Sequence, residues 1–302
     1  MLRRIVDIST EGLFLNHRRG FLVISEGNEE IGFVPLEDIS VLVLSAQGIT
    51  MTKDVYVTLV EQGSVVILCG TKYSPISVIT PLSGNYEFTG KLKKQIAASQ
   101  PLNKRIWQSI IKSKIINQSL LLQKQGLLLQ SKLLKNLSEQ VLSGDTSNRE
   151  AYAAREYWSC LFGESFFRNQ NGEDNINSFL NYGYAVLRGL VSRAVCAAGL
   201  HPSLGIFHHN ELDNMCLVDD LMEPFRVIID SMVLDYISPE SKNEMPEWKK
   251  NVIQQLPEYK VRFRNETTKL SIAMEHYSNS LSLSYEKKEN QLCIPEVFPK
   301  MN

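Results

Sequence analysis

GIFHHNELDNMCLVDDLMEPFRVIID, residues 205–230, gathers two adjacent histidines, six acids and one arginine in one short stretch. Pro202 lies just before this stretch and Gly205 opens it, which predicts a turn. The two histidines, His208 and His209, are therefore expected at or just after that turn.

The second half of this stretch has helical spacing from about Leu217. On a helix Asp220, Glu223 and Arg226 fall three apart and share one face, although Pro224 predicts a kink there. Carboxylates beside an imidazole are suitable ligands for Mg²⁺ or Mn²⁺, and the imidazole favours Mn²⁺. The residues thus indicate a divalent metal site that needs a third ligand from another segment.

A second interpretation of the same residues is open. Acids and an arginine three or four apart commonly form a solvated ladder of ion pairs, here Glu223 to Arg226 to Asp230. Two histidines in a loop are also commonly exposed residues without a ligand. The stretch alone favours neither the ladder nor the metal site.

The composition is that of an ordinary globular protein, with 302 residues, 43% hydrophobic and 22% charged. This length is enough for two domains. The five cysteines form no C-x-x-C pair, which argues against a zinc site or a disulfide framework and favours reduced thiols in the cytoplasm. No signal-peptide core and no run long enough to span a membrane are visible, so we expect a cytoplasmic protein.

The first part of the chain is predicted to be β-rich. Short apolar runs separated by turn residues predict strands over 4–8, 13–16, 20–24, 30–34, 40–45 and 64–68. The continuous apolar run 41–44 predicts a strand covered on both faces. Residues 52–61 predict one helix, with Thr52 as its N-cap. We expect this part to be a scaffold or dimerisation domain.

The domain boundary is predicted within residues 73–90, which carry two prolines and two glycines. The expected fold class is α+β: a small β-rich N-terminal domain, 1–85, followed by a larger all-α catalytic domain, 86–282. The last helix is predicted over 267–281. From residue 282 the composition is polar and aperiodic, so residues 283–302 are expected to form a flexible tail.

Ten bases and no acid occur between Lys91 and Ser138, while the apolar residues there recur at largely helical spacing. One buried face and one basic face favour contact with a phosphate backbone over a merely solvated surface. The candidate DNA-binding residues in this segment are Lys104, Arg105 and Lys112. A long buried helix is predicted over 174–200, and its small residues, among them Gly183 and Gly189, predict close packing. Arg188 and Arg193 on this helix are equally compatible with ion pairs or phosphate contacts.

Glu150 follows Ser147 by three residues, which fits a capping box at the start of a helix. In that interpretation its carboxylate only satisfies a backbone amide. The small neighbours Ala151, Ala153 and Ala154 also leave room for a ligand beside the carboxylate. Sequence spacing cannot show whether the fold brings Glu150 close to the histidines.

Three motifs occur in a fixed order: N-x-E-A-x-x-A from Asn148, A-G-L-x-P-x-x-G-x-x-H from Ala198 to His208, and D-L-M-E-P-F-R from Asp220 to Arg226. Together they resemble the Cas1 family, the CRISPR-associated integrases of spacer adaptation. The resemblance covers nearly the whole chain. The joined form from His208 to Arg226 looks most similar to members from type II systems, which carry the effector nuclease Cas9.

The resemblance implies a Mg²⁺ or Mn²⁺ site formed by Glu150, His208 and Glu223, with Asp220 in support. His209 adjoins His208, which leaves open which imidazole binds the ion. Some members of the family carry aspartate at the position of Glu223, so the reach of this ligand can differ.

The implied reaction is attack of the 3′-hydroxyl of a short protospacer duplex on a phosphodiester at the end of a CRISPR repeat. The implied assembly is a homodimer through the β-rich domains, with two such dimers bridged by a Cas2 dimer. Double-stranded DNA would lie across basic helical surfaces, and Cas9 is a further candidate partner.

Two competing hypotheses remain. One is a metal-dependent nuclease that uses water at the same site to hydrolyse branched or single-stranded DNA. The other is a non-catalytic DNA-binding subunit, in which Glu150 is only a cap and Glu223 only an ion-pair partner.

Overall fold

The computed structural model describes residues 4–70, 75–81, 87–169, 172, 175–237 and 244–298. Within these ranges a β-rich first part precedes a larger helical part, which confirms the predicted α+β class. No helix of the described residues is long and apolar enough to cross a membrane.

The β-rich part contains two four-stranded sheets. Its elements are β1 (Arg4–Ile8), β2 (Phe14–Arg18), β3 (Phe21–Glu26), β4 (Glu29–Pro35), β5 (Ile39–Leu44), β6 (Thr50–Met51), helix α1 (Lys53–Glu61), β7 (Val65–Cys69) and β8 (Pro75–Ile79). One sheet has the order β1-β5-β7-β8, and the other has the order β4-β3-β2-β6. The six predicted strands and the helix therefore all form, with ends shifted by at most two residues.

Strand β5 forms the centre of the first sheet, between the parallel neighbours β1 and β7. All six of its residues are buried. Val41 and Val43 pack into the core shared with the helical part, whereas Leu42 and Leu44 pack into a second core with β2, β3 and α1. The strand is thus covered on both faces, as the apolar run predicted, because parallel strands are commonly buried on both sides.

The helical part is built from nine helices of the described residues and one hairpin. They are α2 (Phe88–Ile96), α3 (Gln100–Lys124), α4 (Leu128–Glu139), α5 (Arg149–Phe162), α6 (Asn175–Ala197), α7 (Cys216–Met222), α8 (Arg226–Tyr236), α9 (Met245–Gln255), the antiparallel pair β9 (Lys260–Phe263) and β10 (Glu266–Lys269), and α10 (Leu270–Lys287). The hairpin is an addition to the helices that the sequence predicted.

Helix α6 joins the two parts because it packs closely on both. A Cβ atom on Gly183 would lie 2.4 Å from Cγ2 of Ile229 in α8. A Cβ atom on Gly189 would lie 2.6 Å from Cδ1 of Ile67 in β7. The small residues of this helix therefore permit close packing, as predicted, and fix α8 relative to the sheet.

The segment predicted as a linker, residues 73–90, contains an element that its composition did not reveal. Its residues 75–79 form β8, in which Val78 pairs with Ile67 of β7. Residues 71–74 and 82–86 lie outside the described ranges. The boundary at residue 85 stays a prediction.

The prediction that the last helix ends at residue 281 is wrong. Helix α10 begins at Leu270 and continues to Lys287. Its serines misled the sequence interpretation, because they are buried although their type suggests exposure. Ser284, for example, is fully buried and donates its hydroxyl to the carbonyl of Ser280.

The residues after α10 are held by the rest of the helical part. Glu296 exchanges two backbone hydrogen bonds with Arg262 of β9, and Val297 is buried in the main core. The predicted tail thus packs on the protein through residue 298, and residues 299–302 lie outside the described ranges.

Candidate active site

Glu150 lies in the first turn of α5, but it does not cap this helix. Asn148 precedes the helix with φ at 51°, and no side chain of that residue caps the helix. Instead, the carboxylate of Asp145 accepts hydrogen bonds from the amides of Arg149 (2.9 Å) and Glu150 (3.0 Å). The predicted capping box of Ser147 and Glu150 is therefore wrong, and the Glu150 carboxylate is free to serve another partner.

That partner is Lys114 of α3. Its Nζ atom lies 2.6 Å from Oε1 of Glu150 and 2.6 Å from Oε2 of Glu223. The sequence placed Lys114 on an exposed basic face, yet its side chain is only 13% exposed. The reason is that α3 crosses the interior of the helical part and buries residues around much of its circumference. Burial acting alone would lower the pKa of Lys114, but Glu223 and Glu150 raise it above its usual value.

Glu223 is placed by a break in the helix at Pro224. Helix α7 ends at Met222, a 3₁₀ turn covers Glu223–Phe225, and α8 begins at Arg226. The kink predicted from the proline is thus confirmed, because proline cannot donate the hydrogen bond that would continue α7. This turn directs the Glu223 carboxylate to Lys114 and Arg226, and Arg226 Nε donates to Oε1 at 3.0 Å.

The predicted ladder is half right. The pair of Glu223 and Arg226 exists, but it is buried rather than solvated. Asp230 accepts hydrogen bonds from the hydroxyls of Tyr157 and Tyr184 instead of continuing the ladder. Burial would raise the pKa of Glu223, but Arg226 and Lys114 outweigh it and hold that pKa well below its usual value.

His208 is held in its loop by Asp220. The buried Asp220 carboxylate accepts hydrogen bonds from the amides of Ile206 (2.6 Å) and Phe207 (2.9 Å). One of its oxygens also lies 2.5 Å from Nδ1 of His208. That hydrogen bond raises the pKa of His208 despite partial burial. Since Nδ1 is engaged, Nε2 is the imidazole atom that remains for chemistry.

The turn predicted at the start of this loop is tight, and Gly205 makes it possible. A Cβ atom on Gly205 would lie 2.1 Å from the carbonyl oxygen of His208 and 3.1 Å from Oδ2 of Asp220. Any other residue would push the loop away from Asp220. Gly205 therefore contributes to the position of His208 as directly as the carboxylate does.

Aromatic packing supports the same loop from α3. The buried ring of Trp107 stacks on Phe207, with centroids 4.5 Å apart, and meets His208 edge-on at 5.5 Å. Helix α3 thus supplies both the lysine between the two glutamates and the surface under the histidine. His209, the alternative ligand, is exposed, whereas the Asp220 contact orients His208.

Among the described residues no group of three or more His, Cys, Asp or Glu side chains is arranged to hold a metal ion. The chemistry of the donors nevertheless suits a divalent cation, since two carboxylates and one imidazole are hard or borderline ligands. Oε2 of Glu223 is buried and makes no hydrogen bond of normal geometry; its contact is the Lys114 ammonium. The Lys114 ammonium group is a cation that already lies between the two carboxylates. The donor groups around it are therefore chemically suited to a metal ion.

A cavity of about 190 Å³ opens beside Glu223. Its lining also includes Lys114, Arg226, Trp158 and Arg168. Three cationic side chains, Lys114, Arg168 and Arg226, line this space together with the carboxyl groups of Glu223 and Asp230. Nothing in the sequence pointed to Arg168 at this site.

The predicted DNA-binding residues lie in two kinds of environment. Lys104 and Arg105 are exposed on α3, and Lys112 is half-buried on the same helix. Arg188 pairs with Asp213 and Asp219, and Arg193 pairs with Glu275. For these two arginines the structure shows the ion pairs that the sequence had left as one of two alternatives.

The sequence of the chain is similar to those of known proteins. The family model described as CRISPR associated protein Cas1 matches residues 6–269. The CRISPR-associated endonuclease Cas1 of Neisseria meningitidis serogroup C is 35% identical over 301 residues, covering 99% of this chain and 98% of that protein. A CRISPR-associated endonuclease Cas1 of Pyrobaculum aerophilum is 27% identical, covering 76% of this chain and 81% of that protein.

Solved structures share the fold at low identity. A casposase bound to its integration product has a TM-score of 0.77 at 18% identity, covering 99% of this chain and 94% of that one. A Cas1 protein from Thermotoga maritima has a TM-score of 0.73 at 15% identity, covering 99% and 100%. A Cas6-RT-Cas1–Cas2 complex has a TM-score of 0.78 at 17% identity, covering all of this chain and 36% of that one.

Proposed function

The chain belongs to the Cas1 family, the endonucleases and integrases of CRISPR adaptation, and we propose that it is a metal-dependent DNA integrase. The proposed reaction joins the 3′-hydroxyl ends of a short protospacer duplex to the ends of a CRISPR repeat. The observation that carries this proposal is the convergence of Glu150 and Glu223 on one cation beside an oriented His208.

Glu150, Glu223 and Nε2 of His208 would hold the proposed Mg²⁺ or Mn²⁺. When bound, such an ion lowers the pKa of the attacking hydroxyl and neutralises charge on the phosphoryl oxygens. Asp220 would keep Nδ1 of His208 engaged, so that Nε2 faces the ligand in one fixed orientation. Arg226 would hold the Glu223 carboxylate in place through Oε1.

The step conserves the number of phosphodiester bonds. The 3′-oxygen of the protospacer forms a bond to phosphorus, and the bond from phosphorus to a 3′-oxygen of the repeat strand breaks. The proton of the attacking hydroxyl is released, and the leaving oxygen takes one up as a new 3′-hydroxyl. No net hydrolysis occurs, which separates this reaction from that of a nuclease.

Positive charge around the site supports DNA as the substrate. Arg168 and Arg226 line the cavity beside Glu223, and Lys104 and Arg105 are exposed farther along α3. Contacts from Lys104, Arg105 and Lys112 to the phosphate backbone are the corresponding proposal. Arg188 and Arg193 would join them only by leaving their carboxylate partners.

The proposed assembly is a homodimer that binds a Cas2 dimer. Phe14, Phe21, Ile31 and Phe33 are exposed on the sheet formed by β4, β3 and β2, and an apolar sheet face of this kind favours a protein partner. A structural neighbour is part of a Cas6-RT-Cas1–Cas2 complex, which supports Cas2 as a partner here. Cas9 and the type II assignment stay predictions.

An integration assay tests the proposal. Purified protein, with and without Cas2, is mixed with a short 3′-hydroxyl duplex and a supercoiled plasmid carrying a repeat, in Mn²⁺ or in EDTA. We expect Mn²⁺-dependent joining, which Glu150→Ala abolishes while the variant stays folded, as circular dichroism would show. Glu156→Ala, on the same helix, is the matched control and should retain joining.

Each other outcome points to a different function. Joining by Glu150→Ala at the wild-type rate would remove Glu150 from the site and defeat the assignment. Metal-dependent nicking without joining, with Cas2 present, would favour the nuclease. DNA binding that EDTA leaves unchanged, with neither joining nor nicking, would favour the non-catalytic subunit.

A further inference from the structure

Lys114 lies within the site, but the proposed reaction assigns it no role. Its ammonium group contacts Oε1 of Glu150 and Oε2 of Glu223, both at 2.6 Å. The side chains of Lys114, Glu150 and Glu223 are only 13%, 25% and 8% exposed. Water therefore screens these contacts little, and the lysine supplies much of the positive charge that keeps two carboxylates together.

The position of Lys114 is fixed by the packing of α3. Ile110, Ile111 and Ile115 of this helix are fully buried, and Asn117, three residues beyond Lys114, donates from Nδ2 to the carbonyl of Pro224 at 2.8 Å. That bond ties α3 to the turn that carries Glu223. The lysine is therefore held at the carboxylates by the fold and is not a surface residue that reaches them by chance.

Both oxygens of Glu223 are engaged by cationic groups. Oε1 accepts from Arg226 Nε at 3.0 Å, and Oε2 contacts Lys114. A divalent ion binds carboxylate oxygens at about 2.0–2.2 Å, which is inside the space that the ammonium group occupies. Two cations cannot share that space, because they would repel each other at short range.

We propose that Lys114 is an internal cation that holds Glu150 and Glu223 together before the divalent ion arrives and withdraws from at least one of them when it binds. This inference rests on the proposed metal-dependent function. Its consequence is that the observed metal affinity is a difference between two competing cations. Lys114 keeps the empty site folded and makes metal binding weaker than the ligands alone would allow.

The first test measures Mn²⁺ binding without DNA, by titration calorimetry, for the wild type, Lys114→Met and Lys124→Met. Lys124 is an exposed lysine at the end of the same helix and provides the matched control. We expect Lys114→Met to bind Mn²⁺ at least about tenfold more tightly than the wild type, and Lys124→Met to bind as the wild type does. Equal or weaker binding by Lys114→Met would overturn the proposal.

Thermal unfolding gives a second measurement on the same proteins. In EDTA the midpoint of Lys114→Met should fall by about 5 °C or more below the wild type, because two buried carboxylates lose their shared cation. Saturating Mn²⁺ should raise that midpoint more than it raises the wild-type midpoint. A Lys114→Met protein that is as stable in EDTA as the wild type would contradict the internal-cation role.

Crystal structures of the wild type with and without Mn²⁺ keep the proposal testable if Lys114→Met does not fold. The ion should be accompanied by loss of the Nζ contact to Glu150 or Glu223. An ion bound while Nζ stays within ion-pair distance of both carboxylates would overturn it.

The two proposals fail in different ways. Mn²⁺-dependent joining by the wild type, with unchanged metal affinity in Lys114→Met, removes only the role of Lys114. A wild-type protein and a Lys114→Met protein that both bind no metal would remove both proposals.

Discussion

The sheet around β5 and the charged centre around Glu223 are both buried, but they are built in opposite ways. One strand of five apolar residues and a buried serine, Ile39–Leu44, supplies the middle of the sheet. The charged centre takes one group each from α3, α5 and the turn after α7, with a histidine from a loop. Local sequence is therefore enough to describe the sheet, whereas the centre exists only after distant helices have packed.

The two regions also differ in how their buried groups contribute to stability. Apolar burial in the sheet is favourable residue by residue, so losing one side chain leaves its neighbours satisfied. Charges in the centre are stable only as a set, because each buried ion depends on its partner. Single substitutions in each region therefore test this difference through the loss of unfolding free energy that they cause.

The largest effect is expected from Glu223→Ala in metal-free protein. This change leaves Arg226 without its buried partner and Lys114 with one carboxylate, and it should lower the free energy of unfolding by roughly 3–5 kcal/mol. Glu30→Ala, which breaks the exposed pair with Arg18, is the control and should leave the urea midpoint unchanged. Equal effects of the two changes would mean that the centre is not an interdependent set of charges.

Leu42→Ala tests the sheet. Leu42 is fully buried in the second core, so we expect a loss of about 3 kcal/mol in the free energy of unfolding from the transfer and cavity contributions. Ile76→Ala, at an exposed position of the same sheet, should change the urea midpoint little. A negligible effect of Leu42→Ala would show that the sheet interior tolerates voids that the charged centre does not.

Asp230 should give the charged side a pH dependence. Burial raises the pKa of Asp230 to about 6, against the hydrogen bonds from Tyr184 and Tyr157. Between about pH 6 and the unfolded value near 4, the folded protein holds a proton that the unfolded chain has released. The contribution of this group to stability therefore increases as the pH falls through that window.

Asp230→Asn removes that dependence. Between about pH 7.5 and pH 5 the wild type should gain roughly 1.4 kcal/mol relative to the variant, measured as the difference in unfolding free energy in urea. Leu42→Ala serves as the comparison, because its deficit should stay constant over the same range. A constant difference between Asp230→Asn and the wild type would contradict the raised pKa.

The smallest effect concerns the start of α5. Asp145→Ala removes the carboxylate that accepts from the amides of Arg149 and Glu150, and we expect a loss of about 1 kcal/mol in unfolding free energy. Ser147→Ala, at the residue that the sequence had assigned as the cap, should have less effect. A larger loss for Ser147→Ala would restore the predicted capping box.

The parts that sequence interpretation found are those with a local signal. Apolar runs predicted the strands, Pro224 predicted the kink, and small residues predicted the close packing of α6. Strand β8 was hidden because the prolines and glycines of the surrounding segment, residues 73–90, suggested a linker. The end of α10 was hidden because its buried serines bond to backbone carbonyls and look like exposed polar residues in the sequence.

Of the residues that sequence interpretation missed at the site, Lys114 and Trp107 have no local signal, whereas Asp145 has one. Asp145 caps α5 across a turn, although an acid just before a predicted helix could have suggested it as an alternative to Ser147. Lys114 looks the same as the other bases of its segment, because its burial depends on where α5 and Glu223 lie. Trp107 carries no sign in the sequence that it will meet His208.

The sequence alone determined most of the strands and most of the helices, because apolar periodicity and turn residues act over a few positions. It also determined the family, through three motifs in order. Only the tertiary structure decided that Glu150 and Glu223 face one another across Lys114 and that Asp220 orients His208. These contacts join residues far apart in the chain, and their energies depend on burial, which no local pattern encodes.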